Sequence, residues 1–263
     1  MKKCCKIIPV FFGPRRKFDF NEEDTIELMD FNIQNEINAI HGDDLCVDVI
    51  IVNNSPEYKT AKEFLNSYNN HKTKSGKIIV IEGDNIGMSY GAFNFAFQKF
   101  KNQYDYWFFT EDDVIFNLDG YYEKAINQLD SDDKLAFIAC FGVGGGNTSR
   151  RHAHHGAGCT HTKYLNEATS FNGGGLPYYK DYLILGEKCN VNNHCEEGEV
   201  SFTNIYHKMN YRIEKLVSNE RPFIKWFDDR KPGRKGIVVK EWGSVDYGTS
   251  KKFKPIGEYA RWF

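Results

Sequence analysis

Apolar residues in this chain gather in short continuous runs over residues 5–12, 47–52, 77–81, 105–110 and 135–140, rich in Val, Ile, Phe and Tyr. Strands covered on both faces, as in a parallel sheet, read this way, because neither face keeps a polar alternation. The intervals are long enough for crossover helices. Residues 24–40 place Ile26, Met29, Ile33 and Ile37 at helical spacing, and residues 87–100 place Phe93, Phe97 and Phe100 on one face. Residues 56–68 follow Ser55, a good N-cap residue, with Pro56 at the first helical position. Alternation of this kind predicts a doubly wound α/β sheet with helices on both faces.

The second half is different. Residues 141–195 are dense in Gly, His, Asn and Thr with little periodicity, and a loop region of that length is usually functional or mobile. Residues 198–209 then predict a helix and 211–217 a strand, and the segment from residue 228 onward is basic and loop-like. A length of 263 residues fits one α/β domain over 1–263 with an irregular C-terminal region.

Composition narrows the function. The net charge of −2 lacks the basic footprint of a nucleic-acid binder. The basic start leads into an apolar run, Ile7 to Phe12, too short for a signal h-region and without a small-residue cleavage site. No stretch approaches the ~20 apolar residues of a membrane span, so the expectation is a cytoplasmic protein with at most peripheral membrane contact. Seven scattered cysteines, an odd number, point to reduced thiols, although Cys189 and Cys195 are close enough in sequence to bridge. The aromatic share of 15% serves either an aromatic core or stacking on sugar and base rings.

In open α/β sheets ligands bind beyond the carboxyl ends of the strands. Those ends carry Gly13, Pro14, Arg15 and Arg16; then Asn53, Asn54 and Ser55; then Gly83, Asp84, Asn85 and Gly87; and finally Glu111, Asp112 and Asp113. The acidic triplet follows an apolar strand directly, and crowded carboxylates beside a buried strand favour a neutralising cation. Mg²⁺ or Mn²⁺, held by one or two carboxylates and substrate phosphates, is the fitting ion. A solvated acidic turn capping the next helix is the plainer reading.

These motifs, in this order, resemble those of a GT-A fold glycosyltransferase of the family-2 type. Val47 to Ser55 is similar to that family's second strand and its turn toward the nucleobase. Asn85, Gly87 and Asn94 resemble the Asn, Gly and Asn positions of its helix start, and Tyr106 to Val114 its D-x-D strand end, with Glu111 and Asp113 at the acidic positions. The similarity spans roughly residues 5–115 and returns near 196–213. It implies a Rossmann-like, mostly parallel sheet, a nucleotide-sugar-binding half over 5–118 and an acceptor-binding half with a tail over 119–263. By resemblance, Asn53, Ser55, Asn85, Gly87, Gly91, Asn94 and Asp112 contact the donor, and Asp113 and Glu111 hold Mn²⁺ or Mg²⁺. The family's usual Asp is here Asn53 or Asn54, and the first acid of D-x-D is Glu111, which makes Asp113 the firmer ligand.

Inverting transfer needs a carboxylate to take the acceptor's proton. The family supplies it from an E-D pair about twelve residues before a G-Y-x-hydrophobic turn, which Asn210, Tyr211, Arg212 and Ile213 resemble. Counting back puts Glu199 at the Asp position and Gly198 at that of the Glu, with Glu196 and Glu197 as alternatives. A carboxylate there also suits a helix N-terminus for its dipole alone.

His152, His154, His155, Cys159 and His161 crowd one segment without C-x-x-C or H-E-x-x-H spacing. They bind zinc, contact the acceptor, add a ligand to the same cation, or form an incidental His-rich loop. Glu258, Arg261 and Trp262 resemble the Q-x-x-R-W motif of some family-2 enzymes. Lys251, Lys252 and Lys254 are candidate diphosphate contacts in the tail, and Trp226 and Trp242 candidate sugar platforms. The expected function is transfer of a sugar from a nucleotide-diphosphate sugar to a hydroxyl of a glycan, lipid-linked or small-molecule acceptor, as in glycan biosynthesis. A sugar nucleotidyltransferase and a non-catalytic carbohydrate- or nucleotide-sugar-binding protein are the alternatives.

Overall fold

A computed structural model of the protein describes residues 1–13, 22–112, 114–116, 120–140, 142–144, 150–179, 195–217, 223–227 and 238–240. Strands and helices alternate first: β1 (Lys2–Val10), α1 (Glu22–Asn38), β2 (Leu45–Asn53), α2 (Lys59–Tyr68), β3 (Ile78–Glu82), α3 (Met88–Phe100) and β4 (Tyr106–Phe109). Then come β5 (Val114–Phe116), α4 (Tyr121–Asp130), β6 (Leu135–Ala139), β7 (Val143–Gly144) and β8 (His152–Ala153). A 3-10 turn (His154–Gly156), β9 (Gly158–His161), α5 (Thr162–Phe171), a π turn (Cys195–Val200) and α6 (Ser201–Lys208) precede β10 (Arg212–Lys215), β11 (Phe223–Phe227) and β12 (Val238–Lys240).

The main sheet has seven strands in the order β10-β6-β9-β4-β1-β2-β3. β1 pairs in parallel with β2 and β4, β2 with β3, and β6 with β10. On one face Ile8, Val10, Val49 and Ile51 pack with Met29 and Ile33 of α1 and Ala61 and Leu65 of α2. On the other, Ile7, Ile50 and Val52 join Ala92, Phe93, Ala96 and Phe97 of α3. Burial on both faces is why these strands are apolar without alternation. The α/β architecture, mostly parallel with helices on both faces, is the one expected.

Much of the aromatic content is core. Phe93 meets Phe109 with ring centroids 4.9 Å apart and Phe97 meets Trp107 at 5.0 Å, while Phe108 turns to the opposite face against Tyr122 of α4 at 4.4 Å. These are edge-on or tilted contacts of the kind aromatic pairs prefer. One charged pair interrupts the apolar face of β1: Lys6 is fully buried and its Nζ lies 2.5 Å from Glu36 of α1, whose other oxygen accepts from the Tyr122 hydroxyl at 3.0 Å.

Several expectations need correction. Ser55 caps no helix: α2 starts at Lys59 behind Tyr58, and Ser55 Oγ instead accepts the Phe12 amide at 2.9 Å, tying the β1 and β2 ends together. Residues 141–195 are not only loop. β9 enters the centre of the sheet antiparallel to both β4 and β6, and α5 follows it. Beyond residue 228 the chain also forms β12, paired with β11, which in turn pairs antiparallel with β5. No helix among the described residues is long and apolar enough to cross a membrane.

Candidate active site

The register brings the carboxyl ends of β1, β2 and β3 level, since Val10 pairs with Asn53 and Asn53 with Glu82. Backbone bonds seal this edge: Asn54 N–H donates to the Val10 carbonyl and Gly83 N–H to that of Asn53. Asn53 and Ser55 are buried, and Asn53 Oδ1 accepts from the Ser55 amide at 3.0 Å. Their side chains therefore shape the turn instead of projecting from it. Asn85 is also buried, with positive φ of 57°. Asn94 Oδ1 accepts the Leu176 amide at 2.8 Å, so this side chain holds the segment after α5 against α3.

Around Gly87 and Gly91 the chain itself comes close. A Cβ on Gly87 would stand 2.4 Å from the Tyr178 ring, and one on Gly91 would stand 1.7 Å from the Ile86 carbonyl oxygen. Gly87 also takes φ of 76° as it opens the helix, a left-handed conformation that glycine adopts without steric cost.

The acidic turn after β4 is held from below. Asn32 of α1 donates to the carbonyls of Asp112 and Val114 at 3.1 and 3.4 Å, and the Thr110 hydroxyl donates to those of Glu111 and Val114. Asp112 is buried, Glu111 is half-buried, and Asp113 lies outside the described residues. Asn32 was not singled out from the sequence, although a polar residue inside the apolar stripe of α1 was a legible signal.

Glu199 sits in the π turn, a local widening often found at functional sites. His155 joins it to Glu111. The His155 amide donates to Glu199 Oε1 at 2.9 Å, and its Nδ1 lies 3.6 Å from Glu111 Oε2. His155 takes φ of 57°, a strained conformation for a non-glycine residue that tends to persist where function demands it. His152 and His154 complete the cluster, with ring centroids 5.5 Å apart. Burial first, and then the neighbouring His152, lower the His154 pKa below the ordinary 6.5, while Glu199 pulls it upward. α6 fixes the approach: Thr203 Oγ1 accepts the Ala153 amide and Asn204 donates to the Arg151 carbonyl, both at 2.8 Å.

Tyr90 sets the spacing between these turns. A Cβ on Gly198 would stand 2.6 Å from its ring and one on Gly156 2.7 Å from it, so the ring is wedged between the two turns. This explains why Gly198 occupies the position where a Glu was expected. The histidine-rich segment divides in two. Cys159 is buried in the core, and His161 caps α5, its Nδ1 accepting the Lys163 amide at 2.9 Å. Neither joins the cluster, because β9 carries them along the sheet. The side chains of Cys195 and Glu196, as well as Cys189, Trp242, Lys251, Lys252, Lys254, Glu258, Arg261 and Trp262, fall outside the described residues.

The carboxyl-end side of the α/β sheet thus carries two carboxylates, Glu111 and Glu199, bridged by one residue, His155. The chain belongs to glycosyl transferase family 2, whose model matches residues 20–184. No curated protein matches it. Among solved structures it is similar to a mannosyltransferase from Pyrobaculum calidifontis in complex with GDP-Man and Mn2+, at 13% identity and a TM-score of 0.47 over 81% of this chain. The match spans 54% of that mannosyltransferase chain, about half its length. It is also similar to a 4-diphosphocytidyl-2C-methyl-D-erythritol synthase, at 10% identity and a TM-score of 0.45, covering 87% of this chain and 95% of that one. A cytidylyltransferase from Leptospira borgpetersenii matches at 11% identity and a TM-score of 0.45, covering 84% and 78%. Family membership supports nucleotide-sugar transfer as the class of activity.

Proposed function

We propose that this protein is an inverting, metal-dependent glycosyltransferase, with Glu199 as the base and the acidic turn as the seat of the donor's cation. One observation carries the reading: His155 touches both carboxylates, the Glu199 side chain through its amide and Glu111 through its ring. The group suited to holding an ion and the group suited to taking a proton thus stand on either side of one residue.

Glu111, with the imidazole of His155 beside it, offers a set of oxygens and one nitrogen that fits Mn²⁺ and tolerates Mg²⁺. Asp113 would complete the carboxylate set, and the bound ion would neutralise the diphosphate leaving group. Asn32 and Thr110 hold the backbone of this turn in place. Asn53, Ser55, Asn85, Gly87, Gly91 and Asn94 shape the donor site, mainly by setting the backbone around it. Glu199 accepts the proton of the acceptor hydroxyl as that oxygen bonds to the anomeric carbon and the bond from that carbon to phosphate breaks. The His155 amide orients the carboxylate for this step, and general-base assistance of this kind contributes about 10²–10⁴-fold. The acceptor is a glycan, a lipid-linked glycan or a small molecule bearing a hydroxyl. Five free cysteines among the described residues support a reducing, cytoplasmic setting.

Donor binding and turnover measured for the wild type, Glu199→Gln and Asp113→Ala, with and without Mn²⁺, test this reading. Glu199→Gln should retain donor affinity and lose turnover, and Asp113→Ala should lose both. NMR of the product should show the inverted anomer. Full turnover by Glu199→Gln would remove the base. Pyrophosphate-dependent release of a nucleoside triphosphate would make the protein a nucleotidyltransferase instead.

A further inference from the structure

Three side chains in the cleft converge in a way that sugar transfer alone does not require. The ligand atoms of His152, His154 and Glu199 all lie within 4.8 Å of one another, and all three residues are half-buried. Ligands about 2.1 Å from a tetrahedral ion stand about 3.4 Å apart, so rotamer shifts of about an ångström would close the set on one ion.

The surroundings already prepare each ligand. His152 Nδ1 lies 2.7 Å from the Arg150 carbonyl and donates to it, which leaves the Nε2 lone pair for a metal. Glu199 Oε1 is oriented by the His155 amide. Fixing ligands through a second layer of hydrogen bonds is the usual construction of a metal site. Both rings converge over Gly144: a Cβ there would stand 2.9 Å from His154 Nε2 and 3.1 Å from His152 Cε1. β7 pairs Gly144 with His152, so this approach is set by the strand register.

We propose that His152, His154 and Glu199 form a site for a borderline divalent ion of the Zn²⁺ class, and that its occupancy silences sugar transfer. Two imidazoles and one carboxylate prefer Zn²⁺ or Co²⁺ to Mg²⁺, whereas the oxygen-rich acidic turn prefers the harder ions. The two sites therefore sort metals by chemistry. The ion coordinates the same Glu199 oxygen lone pairs that would accept the acceptor's proton, so the occupied enzyme lacks its base. This second half rests on Glu199 being the base, as proposed above, while the site itself does not.

The test uses the full chain stripped with chelator. Calorimetric titration with Zn²⁺ in saturating Mg²⁺ should show one site, and Co²⁺ should give the visible bands of a low-coordinate complex. His152→Ala, His154→Gln and Gly144→Ala should each weaken binding at least tenfold, the last without removing a ligand. Zn²⁺ should inhibit transfer with a midpoint equal to its binding midpoint. His154→Gln should shift that midpoint upward, relative to its own metal-free rate. Absence of Zn²⁺ binding, or binding unchanged in all three variants, overturns the site. Binding that follows the variants without inhibiting transfer leaves the site standing, overturns the silencing and removes Glu199 as the base.

Discussion

The buried Lys6–Glu36 pair offers a quantitative test of how the sheet holds α1 against β1. Lys6 and Glu36 have side-chain exposures of 0% and 2%, at 2.5 Å separation. At an effective dielectric of about 20, their attraction is roughly 6–7 kcal/mol. Desolvation costs several kcal/mol for each ion, so the pair as a whole is close to neutral for stability. Removing one partner is different, because the remaining buried charge loses its counter-ion at 2.5 Å while it stays excluded from water. Glu36→Leu should therefore destabilise by about 3–5 kcal/mol. At roughly 2–4 °C per kcal/mol in a chain of this size, the melting temperature should fall by about 6–20 °C. Lys6→Met with Glu36→Leu should recover most of that loss, except for the Tyr122 hydroxyl, which loses its acceptor at a cost of about 1–3 kcal/mol. Adding Tyr122→Phe should restore near wild-type stability. The assay is urea unfolding of the wild type, the two single variants, the double and the triple. A coupling energy below about 1 kcal/mol, or a double variant no more stable than Glu36→Leu, would refute the reasoning.

Three further outcomes are expected. Gly198→Ala forces a Cβ within 2.6 Å of the Tyr90 ring. Overpacking of this kind costs about 1–3 kcal/mol, and displacement of Glu199 should lower kcat about tenfold or more with donor affinity retained; steady-state kinetics and a melting curve check this, and unchanged kcat sinks it. Asn32→Ala removes two bonds to the acidic turn, costs about 1–3 kcal/mol, and should weaken Mn²⁺-dependent donor binding more than metal-free binding in a calorimetric titration. His41 and His161 have folded pKa values lowered below 6.5, chiefly by burial, with Lys163 the next cause at His161. The unfolded chain thus binds more protons just below pH 6.5, so stability is level above that value and falls as pH drops through it toward the lower folded values. His41→Gln with His161→Asn, which keeps an N-cap at α5, should flatten that slope in unfolding curves measured from pH 7 to 5.

The core of the N-terminal half was legible residue by residue. Met29 and Ile33 of α1 and Phe93 and Phe97 of α3 are buried as their spacing implied, and the apolar runs are strands whose ends carry the polar residues. Local boundaries were less so. Ser55 and Pro56 have the chemistry of a helix start, yet Ser55 Oγ is engaged by the Phe12 amide, a partner 43 residues away. Glu199 and the histidine-rich segment were visible as candidates, but their relation was not.

Sequence alone determined the alternation of elements, the acidic strand end and the residue types available for chemistry, because hydrophobic periodicity and turn composition are properties of adjacent residues. Tertiary structure alone decided that the short segment Gly158–His161 enters the sheet, since it has no apolar run of its own and is a strand only because β4 and β6 pair with it on either side. The same pairing sends Cys159 into the core and His161 to a helix cap, away from His152, His154 and His155. Tyr90, wedged against Gly156 and Gly198, then sets the two turns beside each other, and His155 bridges Glu111 and Glu199. Which carboxylates share a cleft depends on packing between segments nearly ninety residues apart, and no local pattern encodes it.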